Sequence, residues 1–176
     1  VIKYIPDAVL AGKDKIRTNA AISLDVDVNG SYNFKTGDIP SITAQFNIPK
    51  SYVEFEGRTS RINELESSIK AYYPATNKDS AAVEIEKFVV KGRGINLALN
   101  GKISDIASNN PYIDINFMGG ANLDTLSTLF PAKEGSFFSG TANTDISVKS
   151  RLSNLNMYQI GNANIKGSLS TEQIKV

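Results

Sequence analysis

The sequence predicts an all-β protein built on a long, mostly antiparallel and twisted sheet that forms a groove or a sandwich-like trough. Polar and apolar residues alternate in many short segments, for example over 41–48 and 113–117, which is the period of a strand with one buried face. Turn-forming pairs such as Asn29-Gly30 separate these segments, and the connections are too short for the crossovers of a parallel sheet. Counting the segments predicts roughly 13 strands, in a sheet about 60 Å long at about 4.8 Å per strand.

The strands of the first half follow from this alternation. Segment 24–28 alternates up to Asn29-Gly30, which predicts a hairpin with a return strand over 31–34. Segment 41–48 alternates without a break, and Pro49 predicts its end. Segment 61–73 fits both a helix and a strand, but alternating segments flank it, so we expect a strand there.

One short helix is expected near 123–130. Leu123, Leu126 and Leu129 fall at helical spacing. Either Asn122 or Asp124 can cap its start, and a proline at position 131 marks its end.

Glycines mark several of the predicted strands. Lys91-Gly92-Arg93-Gly94 lacks the Gly-Lys-Ser/Thr and the following helix of a phosphate-binding loop, so it predicts a turn or bulge. Four further glycines follow alternating runs at spacings too irregular for a solenoid, which favours bends or bulges within strands. They are Gly57, Gly101, Gly140 and Gly167.

Composition excludes several functional classes. The chain has 176 residues, which we expect to form a single β-rich domain over 1–176. Its 19 Lys and Arg against 18 Asp and Glu leave a net charge of +1, so nucleic acid is not an expected partner. It has no His and no Cys, which excludes imidazole and thiol catalysis and the usual zinc ligands. We therefore expect a non-catalytic protein without a metal or cofactor.

Carboxylate pairs are the strongest remaining catalytic candidates. On a strand, residues i and i+2 share a face with Cα atoms about 6–7 Å apart, a separation also compatible with a glycosidase. A glycosidase needs one carboxyl with a raised pKa in an apolar pocket, whereas these pairs occupy the polar side, which favours a solvent-facing role. The pairs are Asp25/Asp27, Glu54/Glu56 and Glu84/Glu86.

The sequence offers two further candidate sites. A calcium site from Asp25, Asp27 and Asn29 lacks the EF-hand spacing. The doublets Tyr72-Tyr73 and Phe137-Phe138 must each turn one ring outward if they lie on strands. An aromatic platform of Tyr72, Tyr73 or Tyr112 would fit an alternative function, a carbohydrate-binding or adhesin-like β-sandwich module with a sealed core.

The most informative feature is collective, because many strands offer an apolar face and little helix is available to cover it. Such a sheet must close on itself, fold into a trough or cover its face with another molecule such as lipid. One hypothesis is that the apolar residues line a lipid-binding groove; the other is that they pack together in a dry sandwich core. The candidate lipid-binding residues are Val53, Phe55, Leu97, Leu99, Ile113, Ile115, Phe117, Ile146 and Val148.

The second half of the chain, from 83 to 176, resembles the AsmA-like family of envelope proteins, in particular its Bacteroidetes-type members. The order of motifs carries the resemblance: a Gly-bearing strand over 95–106, the strand start Asn110-Pro111-Tyr112-Ile113, the Leu- and Asp-containing segment 121–131, and Phe138-Ser139-Gly140. Segment 151–155 is similar to the family's Gly-Arg-x-Ser-Asp, with Ser150 where Gly is usual and Asn154 for Asp. The first half of the chain shares the alternating pattern but shows no distinct motif of the family.

The resemblance implies a function in outer-membrane assembly. AsmA-like proteins are similar to bridge-type lipid transfer proteins, which implies a periplasmic β-groove anchored to the inner membrane that holds or conducts phospholipid acyl chains. The implied partners are phospholipid or another acyl-chain lipid, other envelope proteins and the membrane. The chain opens with Val1 and shows no signal-like start, so we expect a piece of a longer protein whose anchor lies outside this sequence.

Overall fold

The computed structural model describes residues 16–33, 35, 37–56, 61–76, 80–125, 139–156 and 158–175. These residues form one open antiparallel sheet of nine strands, which confirms the predicted all-β class. The strands are β1 (Ile16–Thr18), β2 (Ser23–Asn29), β3 (Ser41–Phe55), β4 (Arg61–Tyr73), β5 (Ala82–Gly92), β6 (Ile95–Ser104), β7 (Tyr112–Asn122), β8 (Ser139–Arg151) and β9 (Asn164–Lys175). Two 3₁₀ turns, Leu152–Asn154 and Ile160–Asn162, connect β8 to β9.

The sheet is a meander in which each strand from β3 to β9 pairs with the next one in sequence. At the first edge, β1 and β2 share the same side of β3, β1 along 53–55 and β2 along 41–47. The sheet is therefore eight strand positions wide, about 34 Å at about 4.8 Å per spacing. The expected 13 strands and 60 Å are wrong for the described residues, because neighbouring alternating segments fuse into single long strands.

Strand β3 shows how such fusion happens. It continues through Pro49, so the predicted end there is wrong. The proline lies between the segment of β3 that pairs with β2 and the segment that pairs with β1. Because no described strand pairs with β3 on that side at this point, the missing N–H of Pro49 breaks no ladder bond. The pairing of β3 with β4 shifts register between Ile48 and Ser51.

The connection after β2 also differs from the prediction. Gly30 has the positive φ of 117° expected at a turn, but the return strand is β3, which begins at Ser41. Of the strand expected over 31–34, the described residues 31–33 form none, because Asn33 makes its own tight turn: its N–H donates to the Asp38 carbonyl (3.0 Å) and its carbonyl accepts from the Gly37 N–H (2.8 Å). The predicted strand over 61–73 is confirmed as β4.

The predicted helix begins where expected. Residues 123–125 are helical, and the Asn122 side chain caps them, since its Oδ1 accepts from the Thr125 N–H (2.8 Å) and hydroxyl (2.9 Å). Asp124, the other candidate cap, instead accepts from the Gly140 N–H (3.1 Å). The rest of the predicted helix, with its proline, lies outside the described residues.

The sheet has no sealed core in the described part of the chain. The buried apolar residues there are Pro74, Ala81 and Val89 alone. The chain exposes 12196 Å², whereas a compact protein of 19.0 kDa exposes about 8,400 Å². Of the two arrangements considered from sequence, an open sheet is observed and a closed sandwich is not.

A glycine at a bulge, as predicted, is observed at Gly140, whereas Gly101 and Gly167 lie in regularly paired stretches of β6–β7 and β8–β9. Gly140 has a positive φ of 110° and lies where the β8–β9 pairing shifts register. Gly101 and Gly167 share one environment: each has a positive φ, and a Cβ at either would overlap an Asp carbonyl and an Ile Cα of the neighbouring strand. Lys91–Gly94 forms the expected turn, with Gly92 paired to Ile95. Gly57 lies outside the described residues.

We expect Gly101→Ala to lower the free energy of unfolding by about 1–3 kcal/mol, because it adds both a Cβ overlap and an unfavourable φ of 146°. Urea denaturation followed by circular dichroism measures this. Gly161→Ala is the matched control, because a Cβ at Gly161 has no atom within 4 Å, and its unfolding curve should match the wild type. Equal stability of the two variants would contradict the prediction.

Candidate functional site

The pairing register divides the sheet into an apolar face and a polar face. Residues paired across adjacent strands point to the same side, so one row of partners identifies a face. One such row crosses eight strands, β2 to β9, and contains only apolar residues and one glycine. It consists of Leu24, Phe46, Ile69, Ile85, Gly101, Ile115, Val148 and Ile165.

All nine candidate lipid-binding residues lie on this apolar face. Val53 and Phe55 are on β3, and the other seven lie together on the adjacent strands β6, β7 and β8. In that group, Leu99, Phe117 and Ile146 are directly opposed in consecutive strands. All nine side chains are half-buried, because neighbours in the sheet cover their flanks while no second layer in the described residues covers their tips.

Sequence reasoning missed apolar residues on the strands between the two groups. Ile69 on β4, and Ile85 and Phe88 on β5, lie on the apolar face between β3 and β6; Ile69 and Ile85 are in register with Phe46, and Phe88 lies opposite Leu99. The alternation that identified the nine residues also marks Phe46 and Ile85. Phe88 was harder to place, because the register shift between Ile85 and Phe88 interrupts the period of two.

Small residues on the apolar face allow its large side chains to pack. A Cβ at Gly119 would overlap the Leu97 side chain and press on the Phe117 ring, so both side chains lean over this glycine. Ser67, opposite Phe88, is 3% exposed, and its hydroxyl has no hydrogen-bond partner in the described structure; the Thr144 hydroxyl is in the same state. Contacts on this face are therefore non-directional burial rather than hydrogen bonding.

The polar face carries an alternation of charge across the strands. A row one residue away from the apolar row contains Lys70, Glu84, Lys102, Asp114 and Lys149 on consecutive strands β4 to β8. Each charge thus lies opposite one of the other sign, and opposite charges paired across strands stabilise a register.

Ion pairs join neighbouring strands on the polar face. Lys149 pairs with Asp114 (2.9 Å), and this hydrogen bond raises the pKa of Lys149. Glu64 accepts from Lys50 (3.0 Å) and Lys91 (3.3 Å). These bonds, that from Lys50 first, lower the pKa of Glu64.

The carboxylate pairs lie among these ion pairs and not in an apolar pocket. The hydrogen bond from Lys70 and then that from Ser68 lower the pKa of Glu86, the opposite of what a general acid requires. Glu54 pairs with Arg61 (2.7 Å). Glu56 forms an ion pair with Arg17. Asp25 and Asp27 lie on the polar face of β2. Within the described ranges, no group of three or more acidic residues is placed to hold a metal ion.

The aromatic residues do not assemble into a platform in the described structure. Tyr72 pairs with Thr43 on the polar face, whereas Tyr73 pairs with Ile42 on the apolar face. Arg151 stacks on the Tyr112 ring, 5.7 Å from its centroid, and the same guanidinium is hydrogen-bonded to Asp105. The rings of Phe137 and Phe138 lie outside the described residues.

None of the described helical segments is long and apolar enough to span a membrane. No family model, curated protein or solved structure matches the chain. Functional inference for this protein therefore depends on the chemistry of its two faces.

We expect Glu86→Gln to destabilise the protein at neutral pH, because it breaks the Lys70 ion pair. The folded state lowers the pKa of Glu86 from its ordinary value of 4.5, so this carboxylate stabilises the fold above pH 4.5, and the contribution disappears as the pH falls through the lowered pKa. The stability difference between wild type and variant should be constant from pH 7 to about 5 and shrink below 4.5.

Urea denaturation at several pH values tests this expectation. Asp27→Asn serves as a control on another strand, since Asp27 lies opposite Thr43 and is in no ion pair among the described residues. A wild-type advantage that stays unchanged down to pH 3 would contradict the assignment.

Proposed function

We propose that this chain is a non-catalytic, periplasmic segment of an AsmA-like envelope protein that holds or conducts phospholipid acyl chains along its apolar face. The observation that carries the proposal is the unbroken apolar row across eight strands, which no second layer of the described structure covers. Water-exposed apolar surface of this extent is characteristic of an interaction site.

The chemistry of the apolar face suits acyl chains. Among the paired residues of β4 to β8, none on this face is charged. Each methylene removed from water contributes about 0.8 kcal/mol, and such burial requires no hydrogen-bonding partner. A face of Leu, Ile, Val and Phe therefore binds hydrocarbon without selecting one headgroup.

The dimensions of the face also suit acyl chains. Its width of about 34 Å across the strands is close to the roughly 30 Å of a bilayer's hydrocarbon core, so acyl chains from one leaflet, about 15 Å long, fit within its margins. Lipid would move along the face by exchanging equivalent contacts, since similar apolar side chains repeat on each strand.

The charges on the polar face also fit the proposed function. Its ion pairs and alternating charges keep that surface in water while the opposite surface is covered by lipid. The motif order over 95–155, which resembles the AsmA-like family, supports a role in outer-membrane assembly, with an inner-membrane anchor outside this sequence and other envelope proteins as partners.

Native mass spectrometry of the purified chain, with organic extraction of its lipids, tests the proposal. We expect phospholipid at a defined stoichiometry, either co-purified or acquired from vesicles. A protein that stays lipid-free after incubation with phospholipid vesicles would overturn it.

A double variant locates the binding surface. We expect Leu97→Asp with Ile115→Asp to abolish lipid capture, because both carboxylates would lie on the apolar face. The control, Asn96→Asp with Asn116→Asp, adds the same charges one residue away on the same strands but on the polar face, and should retain lipid. Far-UV circular dichroism checks that both variants fold, and equal lipid capture by both would exclude the apolar face.

A further inference from the structure

The outer edge of β9 has no partner strand among the described residues. Within the described chain, β9 pairs with β8 alone, and every residue over 164–173 is exposed. Its pairing with β8 is regular from Asn164 to Glu172, so the free edge presents an extended row of N–H and C=O groups. Such an edge readily adds another strand.

Two charged residues in the regularly paired part of β9, Asn164 to Glu172, have no ion-pair partner among the described residues. Lys166 and Glu172 both lie on the polar face of β9, opposite Ser147 and Thr141. Lys149 on the adjacent strand, in contrast, forms an ion pair. The two charges lie three positions before and three after Leu169, so this part of the edge carries opposite charges at equal distances from that residue.

We infer that a second copy of this chain pairs antiparallel with the β9 edge, about a two-fold axis through Leu169. In this register Lys166 of each copy lies opposite Glu172 of the other, which forms two interchain ion pairs. Ser168 lies opposite Ser170, and the two Leu169 side chains meet on the apolar face. Because the axis is perpendicular to the sheet, the apolar faces of both copies lie on the same side and form one continuous surface.

The charges select this register over its neighbours. An axis through Ser168 would place Lys166 opposite Ser170, and an axis through Ser170 would place Glu172 opposite Ser168. Only the axis through Leu169 pairs the two charges, and opposite charges paired across strands stabilise the register.

The other edge of the sheet does not suit self-pairing. A two-fold axis through Val26 of β2 would place Asp25 of one copy opposite Asp27 of the other, and directly opposed like charges are destabilising. The two-fold β9 contact matches both charges of the regularly paired part of β9, Lys166 and Glu172, and it closes into a dimer.

Leu169 also gains from the pairing. It is 69% exposed in the single chain, the largest exposed fraction among the apolar residues of the nine strands. The second Leu169 would cover part of it at the dimer axis, and the lipid-binding face would double in width. The pairing itself requires no lipid, so it stands independently of the proposed function.

Sedimentation analysis of the delipidated chain tests the charge register. We expect a concentration-dependent dimer, and we expect Glu172→Lys alone or Lys166→Glu alone to weaken it about tenfold, since each replaces two attractions with two repulsions. The double variant Lys166→Glu with Glu172→Lys should restore the wild-type dimer, because both pairs reform with exchanged signs. A monomer at every concentration, or a dimer indifferent to these single changes, would overturn the inference.

A disulfide test locates the axis independently. The chain has no Cys, so Leu169→Cys introduces its only thiol, and directly opposed residues with Cα atoms about 4.5–5.5 Å apart can form a disulfide. We expect rapid interchain oxidation at position 169 and none for Thr171→Cys, whose two copies would be about 13 Å apart. Cross-linking of Val26→Cys instead, or growth beyond a dimer, would assign the contact to β2 and exclude the two-fold pairing.

Discussion

The continuous pairing register from β3 to β9 is the constraint on which the rest of the structure depends. Side chains alternate between faces with a period of two, so a slip of one residue anywhere would move charged side chains onto the apolar face. The register shift in β5 shows how strictly this alternation between the two faces is kept. Glu86 and Lys87 are adjacent polar residues that would break the alternation, and the shift between Ile85 and Phe88 absorbs the extra residue. Phe88 therefore returns to the apolar face.

The two faces stabilise the same register by different interactions. On the polar face, charges of opposite sign lie opposite each other from β4 to β8, so a slip of two residues would separate most of these pairs. On the apolar face, large side chains lean over small ones, as Leu97 and Phe117 do over Gly119. The specificity of strand pairing therefore comes largely from charge pairs on the polar face. The contacts on the apolar face are non-directional. A surface for mobile hydrocarbon chains needs that property.

The two edges of the sheet differ in the charges that they carry. Asp25 and Asp27 on β2 carry charge of one sign, which discourages pairing with another copy of the same edge, a common protection of exposed strands. Over its regularly paired residues 164–172, the β9 edge carries one charge of each sign at equal distances from Leu169. The contrast follows from a few residues, yet it decides whether the apolar surface ends at one chain or continues into a second.

Alternation in the sequence predicts the class of the fold and much of the apolar face, because it is a local property that any strand expresses. It identified β4 and all nine apolar candidates without knowledge of strand order, and the start of the helix with either Asn122 or Asp124 as its cap. What depends on neighbouring strands is seen only in the tertiary structure. Strand β3 runs through Pro49, because no described strand pairs with that side of it there. Phe88 lies opposite Leu99, because a bulge shifts the register, and the sheet stays open. Pairing joins residues far apart in sequence, so its register and its interruptions are fixed by cross-strand contacts that no local pattern contains.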